Sequence, residues 1–329
     1  MAATLTTAAV RGPSPKPREP RQPQKRGRLE PRLGLCCIFR GAPIKFRTRQ
    51  ATYLLKFDRD QQLELLSETI MANSAALLDA VTYCGHNGIG SFRINSRFFP
   101  LKTHPDVGYS LVDLPDFSTI RDLLEKVRSH SDQHDIRLTF HPDQFILLSS
   151  HKAEVTRKSI EDLAYHAELA DLIGADVIMI HGGGAYGDKK SALQRLSDSI
   201  NDLPESIRSK LALENDDRTY TPRDLLPVCE KNDIPLVYDV HHHRCLTDSL
   251  TVENATDLAI ATWNREPLFH LSSPKFGWQG ADPKPHSDMI DPDDFPEYWR
   301  DKAITVEVEA KAKEIAVEQL GADLGLGSD

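Results

Sequence analysis

Seven side chains that bind divalent cations stand at or just past the ends of short apolar runs. They are His141, His181, Glu214, Asp239, His270 and Glu309, with His242 three residues beyond Asp239. Imidazole nitrogens and carboxylate oxygens together suit Mn²⁺, Zn²⁺ or Fe²⁺, and no cysteine accompanies them as it would in a structural zinc site. Alone, each such residue is more often a helix cap or a loop hydrogen bond. Crowded on one rim, they would repel or shift one another's ionisation unless cations lay between them.

Two histidines in loops complete a set of nine candidates. His104 follows Phe98–Phe99–Pro100, and His286 lies in Lys284–Pro285–His286–Ser287–Asp288. Nine ligands are enough for two to three ions. Such a centre fits phosphodiester hydrolysis, in which ions activate water and stabilise the leaving oxygen. Glu214 and Glu309 are expected to hold ions from opposite sides of the rim and to act through bound metal and its water. Gly182, Gly183 and Gly184, directly after His181, form either a close-approach site or a flexible turn. There is no Walker-type loop, which disfavours nucleotide hydrolysis.

The remaining histidines invite plainer readings. His86, His130, His134, His151 and His166 fall on expected helices or their ends and read as surface residues. In the run His241–His242–His243, side-chain direction lets one or two rings reach the rim, and His242 is the expected one.

What positions these groups is a repeated pattern of apolar run, polar loop and amphipathic helix. The expected strands are 33–39, 91–94, 136–140, 176–180, 210–214, 235–239, 267–271 and 303–309. Several are nearly continuous apolar runs, as in parallel strands covered on both faces. Between them, Ile120, Leu123, Leu124 and Val127 keep helical spacing after Pro115 and Asp116. Ile160, Leu163, Ala164, Ala167 and Ala170 do so again, with Gly174 placed as a C-terminal cap. Eight such units point to a (β/α)₈ TIM barrel, in which strand C-termini share the rim that carries the site. A doubly wound sheet is the alternative fold, but its glycine-rich first turn is missing.

Composition is consistent with this plan. At 329 residues and 27% charged, the chain suits one barrel of about 250 residues with extensions. The expected division is a disordered, basic, Pro-rich arm (1–30), the barrel (31–320) and a flexible C-terminal tail (321–329). No apolar run reaches the roughly 18 residues of a membrane span. Residues 1–30 carry no secretory h-region, and their prolines oppose an amphipathic transit helix. Five cysteines without framework spacing read as reduced thiols of an intracellular protein, in the nucleoid-bearing cytoplasm if bacterial. The net charge is −9, yet residues 1–30 hold seven Lys/Arg against two Glu, leaving −14 for the rest. An acidic body is unusual for a nucleic-acid binder, but carboxylate ligands count as negative only until their ions are added. The arm is either an inert tail or a source of non-specific phosphate attraction.

Taken in order, several stretches resemble the UV damage endonuclease family. These are Phe92–Arg93–Ile94 with Ser96 and His104, His141–Pro142–Asp143–Gln144–Phe145, and Ile180–His181–Gly182–Gly183. Leu213–Glu214–Asn215–Asp216–Asp217, Tyr238–Asp239 with His242, His270–Leu271–Ser272–Ser273, His286–Ser287–Asp288 and Glu309–Ala310–Lys311 continue the match. The resemblance spans roughly residues 33–315. It implies a manganese-type cluster held by the nine candidates and incision immediately 5′ to ultraviolet photoproducts in duplex DNA, with some activity at abasic sites. It also implies that Gln144 and Phe145 probe the duplex at the lesion, matching a family Gln-Tyr pair. An aromatic wedge can fill the gap left by displaced bases, although Phe145 could instead be a core residue beside Ile146–Leu148. The implied partners are damaged double-stranded DNA and downstream repair enzymes, with the protein a monomer and no membrane involved.

The chain departs from the pattern at three places. Leu268 stands where the family has a Lys, thought to be carboxylated, and Leu35 and Phe39 replace Tyr and Asn. Phe145 lacks the hydroxyl of the usual Tyr. The competing readings are an abasic-site endonuclease, a sugar isomerase on a similar barrel, and a non-catalytic protein that binds DNA or metal.

Overall fold

The computed structural model describes residues 30–326. Apart from Glu30, the expected basic arm lies outside the described residues, as does 327–329.

Eight strands close into a barrel in chain order, every neighbouring pair parallel. They are β1 Arg32–Cys36, β2 Ser91–Ile94, β3 Arg137–Phe140, β4 Val177–His181, β5 Leu211–Glu214, β6 Leu236–Asp239, β7 Leu268–Leu271 and β8 Thr305–Val308. All eight expected runs are therefore strands, most of them with trimmed ends, while β1 starts one residue earlier than expected and β4 runs one residue further, to His181. β1 stops three residues short of the expected Phe39 because Cys37 turns to φ 70°, a left-handed conformation that ends the ladder. Its N–H still reaches Arg93 O at 2.8 Å.

Successive strand residues point to opposite faces, and this alternation sorts the chain into two cores. Outward residues, among them Phe92, Phe140, Ile178, Leu213, Tyr238, Phe269 and Val306, pack against the helices. Inward, Val177, Met179, Ala212, Val237 and Leu268 form a separate apolar plug inside the barrel. Two residues beyond Met179, Ala212, Val237 and Leu268 on the same strands come His181, Glu214, Asp239 and His270. They face inward for the same reason, one layer nearer the C-terminal rim. The half of the barrel formed by β8, β1, β2 and β3 is lined differently, with polar Glu307, Arg93 and Thr139 in contact with one another. Gly34 of β1 belongs there, since a Cβ on it would lie 2.9 Å from Ser91 Cβ and 3.1 Å from Glu307 Cγ.

The helices follow the expected periods with local corrections. Phe117–Gln133 buries Ile120, Leu124 and Val127. Asp116 gives this helix no side-chain cap; its carboxylate accepts instead from Ser67 Oγ at 3.0 Å. Ala153–Ile173 ends on left-handed Gly174 (φ 81°) as expected. Its buried face also takes in Tyr165, His166 and Leu169, while Ala164 is exposed. The final helix, Glu314–Leu324, runs past the expected tail boundary at 321, because Leu324 is still buried and Gly325 supplies the left-handed cap. Among the described residues no helix is long and apolar enough to cross a membrane.

Candidate metal centre

The centre is built on Glu214, the last residue of β5, whose side chain is fully buried. Four imidazoles converge on its carboxylate. His141 Nε2 lies 2.8 Å from Oε2 and His270 Nδ1 lies 2.9 Å from Oε1. His181 Nε2 and His242 Nδ1 stand at 3.7 and 3.5 Å. Burial alone would push this carboxyl upward, but His270, His181 and His141 outweigh it and hold it well below the usual carboxylate range.

Asp239 closes the next side. It is the N-cap of the short helix Val240–Cys245, with Oδ1 accepting the His242 N–H at 2.7 Å. That turn brings the His242 ring back over the rim, where Nδ1 lies 3.3 Å from Asp239 Oδ2. The buried amide of Asn215 locks the backbone of Asp239, donating to its O at 2.8 Å and accepting from its N–H at 3.0 Å. Burial pulls the His242 ring down, yet Asp239, Glu214 and Glu309 raise it to about 9. The His181 ring is lowered by burial, against the pull of Glu214, with the His141 and His242 rings adding to the lowering.

Glu309, just past β8, completes the ring. Its Oε1 accepts from Arg93 at 2.6 Å and lies 3.5 Å from His270 Nδ1, while Oε2 is 3.5 Å from His286 Nδ1. His286 is held there by an antiparallel bridge to Pro274.

This donor set fits divalent cations. His141, His181 and Glu214 offer three ligand atoms within 4.8 Å of one another, and Glu214, Asp239 and His242 offer a second such group. Glu214 belongs to both. Among the described residues the buried atom Asp239 Oδ2 has no hydrogen-bond partner, which is costly unless another species satisfies it.

The rim thus gathers eight of the nine candidates. The ninth, His104, is turned into its own loop, where Nδ1 accepts the Asp106 N–H at 3.2 Å. Among the described residues it makes none of the carboxylate contacts that join the others. Of the three consecutive histidines, His243 faces away, with its ring nitrogens 2.7 Å from the Tyr238 hydroxyl and 3.1 Å from Asp248. His241 is buried, with its ring 5.0 Å from that of His286 and Nε2 3.2 Å from Lys284 O. His166 is a correction to the surface reading: it is buried against Phe140, and Nδ1 bonds Asp162 O at 2.7 Å. Two of the three glycines are packing positions. A Cβ on Gly182 would meet the Tyr220 ring at 2.7 Å, and left-handed Gly183 (φ 82°) would meet Ser149 Oγ at 2.6 Å.

Phe145 is 70% exposed, which rules out the core alternative. It and Gln144 project from the loop after β3, whose base is tied down. Asp143 accepts from Arg97 at 3.1 Å and Ser96 at 3.3 Å, and the Leu147 N–H donates to Ser159 Oγ at 2.9 Å. Leu268 lies in the apolar plug, whereas Leu35 and Phe39 belong to the outer packing, Phe39 stacking on Phe92 at 5.7 Å.

Two residues at the centre escaped sequence reasoning as site residues, Arg93 and Glu307. Both are buried, and Arg93 reaches both β8 carboxylates. The available signal was a charged residue inside an apolar strand, and for Glu307 also a spacing of two from a rim carboxylate.

A closed parallel barrel with a buried carboxylate shared by two cation-competent triads defines a class of (β/α)₈ proteins with a metal-type rim centre. Within that class the affiliation is specific. The family described as UV-endonuclease UvdE matches residues 31–327. A UV DNA damage endonuclease of Bacillus velezensis is 37% identical over 308 residues, 88% of this chain and 92% of that protein. One from Nostoc sp. is 34% identical over 314 residues, 92% of each. The crystal structure of SacUVDE superposes with a TM-score of 0.79 at 26% identity, over 90% of this chain and 98% of that one. Endonuclease IV from Thermus thermophilus shares the fold, with a TM-score of 0.57 at 16% identity. The chain belongs to the UV-endonuclease UvdE family.

Proposed function

We propose that this chain is a metal-dependent DNA repair endonuclease that nicks duplex DNA immediately 5′ to ultraviolet photoproducts, with some activity at abasic sites. The observation that carries this reading is the fully buried Glu214 carboxylate shared by two triads of imidazole and carboxylate donors. His141, His181, Glu214, Asp239, His242, His270, His286 and Glu309 would hold two to three divalent ions, most naturally Mn²⁺, with Zn²⁺ or Fe²⁺ as alternatives. His104 would join them through Nε2, which makes no hydrogen bond among the described residues. When bound, such ions supply Lewis-acid activation of water and charge stabilisation at the phosphodiester.

The chain's own residues do the rest. Glu214 and Glu309 set the positions of the histidines around the rim. Arg93, with one guanidinium nitrogen on Glu309, keeps that carboxylate aimed across the mouth. Gln144 and Phe145 stand at the same rim and enter the duplex where a lesion has weakened stacking, so that the damaged segment is presented to the centre. The protein acts inside the cell as a monomer and passes its nicked product to downstream repair enzymes.

The decisive experiment incubates protein and Mn²⁺ with duplexes carrying one photoproduct, one abasic site or no lesion. A nick 5′ to the photoproduct, absent from undamaged DNA, is expected. Cutting of the abasic duplex alone would replace the reading with an abasic-site endonuclease. No cutting of any duplex would leave the sugar-isomerase or non-catalytic alternatives.

A further inference from the structure

Phe145 has a counterpart across the mouth. Among the described Phe, Tyr and Trp side chains the two most exposed are Phe145, at 70%, and Phe276, at 65%. A single exposed ring is ordinary on a protein surface. The placement of this pair is not. Phe145 follows β3 and Phe276 follows β7, which lie four strands apart in either direction round the closed barrel. Their loops therefore leave the C-terminal rim on opposite sides, with Glu214 and its histidines between them.

The Phe276 loop is braced so as to keep that ring in water. Pro274 and His286 form its antiparallel base, and the Lys275 N–H donates to Pro285 O at 2.7 Å. Trp278 is the anchor: its indole N–H donates to Asp294 at 2.6 Å, and the Arg244 guanidinium lies 5.6 Å from its ring centroid. Between base and anchor the Gly277 N–H closes a turn onto Pro274 O at 3.1 Å, with Gly277 itself left-handed at φ 71°. The turn holds Phe276 outward with the Lys275 ammonium 5.1 Å from its ring centroid. On the returning leg, His286 stands 3.5 Å from Glu309, so this ring and the metal centre share one frame. An aromatic face beside a cation suits a nucleobase and its phosphate.

Which base it suits follows from the chemistry of the damage. Photochemical coupling of neighbouring pyrimidines consumes ring double bonds and spoils the flat faces of the damaged bases. The bases opposite them stay flat and are left without partners. We propose that Phe276, with Lys275 beside it, is a stacking platform for an intact base displaced from the strand opposite the lesion. The inference rests on the damage-endonuclease reading above, in which Phe145 enters the duplex and the centre takes the damaged strand. The choice of lesion stays with the Gln144–Phe145 tip, since the platform has nothing to hold until the tip has opened the duplex.

The test titrates full-length wild type, Phe276→Ala and Phe276→Trp onto labelled duplexes with a non-cleavable linkage 5′ to the lesion, so that binding is read without cutting. The duplexes carry a photoproduct opposite intact bases, the same photoproduct opposite abasic analogues, or no lesion. Loss of one stacked base weakens binding about 5- to 150-fold. Phe276→Ala should show a loss of that size on the first duplex alone, and Phe276→Trp, which keeps a ring, should stay near wild type. An equal loss on every duplex would make Phe276 an ordinary backbone or groove contact, and no loss on the first would leave the ring without a role on DNA. Either result overturns the platform. Wild type reports on the reading underneath. If it prefers photoproduct to undamaged DNA while Phe276→Ala changes nothing, only the platform fails; if it has no preference, the damage-endonuclease reading fails and the platform with it.

Discussion

The barrel mouth and the loop after β3 lie side by side in sequence, since His141 belongs to one and Gln144–Phe145 to the other, yet they are built on opposite principles. At the mouth every group is buried or half-buried and cross-braced: four imidazoles close on Glu214, and Asp239 caps the helix that returns His242. In the loop only the base is tied, through Asp143 and Leu147, and the tip presents Phe145 to solvent. Strand ends fix atoms to the precision that metal chemistry needs, whereas a loop tip is free to enter a deformable partner. The two regions should accordingly fail in different ways. Damage to the mouth should affect every substrate alike, and damage to the tip should depend on the lesion.

The largest effect is expected at the mouth. Glu214→Gln keeps the volume and a hydrogen-bonding oxygen but removes the charge shared by both triads. Nicking of photoproduct and abasic duplexes should fall together by about a hundredfold or more, with the fold intact by circular dichroism. Near-normal rates would place the nuclease centre elsewhere. The tip comes next. Replacing Gln144 and Phe145 with Ala should remove a stacking contribution of roughly 1–3 kcal/mol, about 5- to 150-fold in cutting of photoproduct duplex. Abasic DNA, already unstacked and flexible, should lose much less, and metal content should not change. Equal losses on both substrates would mean that the tip has no part in reading damage.

The sequence carried much of this division. All eight strands were legible because parallel strands covered on both faces read as apolar runs, and the rim followed from asking what ends each run. What stayed hidden depended on depth and direction. Glu307 shares its strand face with Glu309, but a linear reading cannot tell a rim residue from one two positions below it inside the barrel. Arg93 looked like part of a motif, and only its reach to both β8 carboxylates makes it part of the centre. His166 read as a surface residue because helical spacing in a small-residue stretch does not say which flank is covered. His104 and His286 were equals in sequence, both in loops; a β-bridge holds one at Glu309 while the other bonds its own loop.

That inequality sharpens what counts as the mouth. Elemental analysis of protein purified without chelator should find at least two divalent ions per chain. His286→Ala should lower the content by no more than one ion, and His104→Ala by less than His286→Ala, because only His286 already faces a rim carboxylate at 3.5 Å. If either change strips all the metal, the centre is not organised around Glu214.

The smallest effect is expected from residues 1–30, which belong to neither region and so serve as the control for both. Their charge is +5 against −14 for the remainder, so their net charge attracts a polyanion while that of the remainder taken as a whole does not. Contacts to phosphates add affinity without carrying information about sequence or damage, and each one releases condensed counterions from the duplex. Deleting the arm should therefore weaken binding at low salt for damaged and undamaged DNA alike, leaving their ratio and the metal content unchanged. The slope of log affinity against log salt should become shallower by about 0.9 for each phosphate that the arm no longer neutralises. Measuring binding to photoproduct and undamaged duplexes across a salt series, with and without residues 1–30, tests both statements at once. An unchanged slope would make the arm inert. A changed ratio would be more consequential, since lesion discrimination would then not belong to the Gln144–Phe145 tip alone, and the separation between mouth and tip would fail.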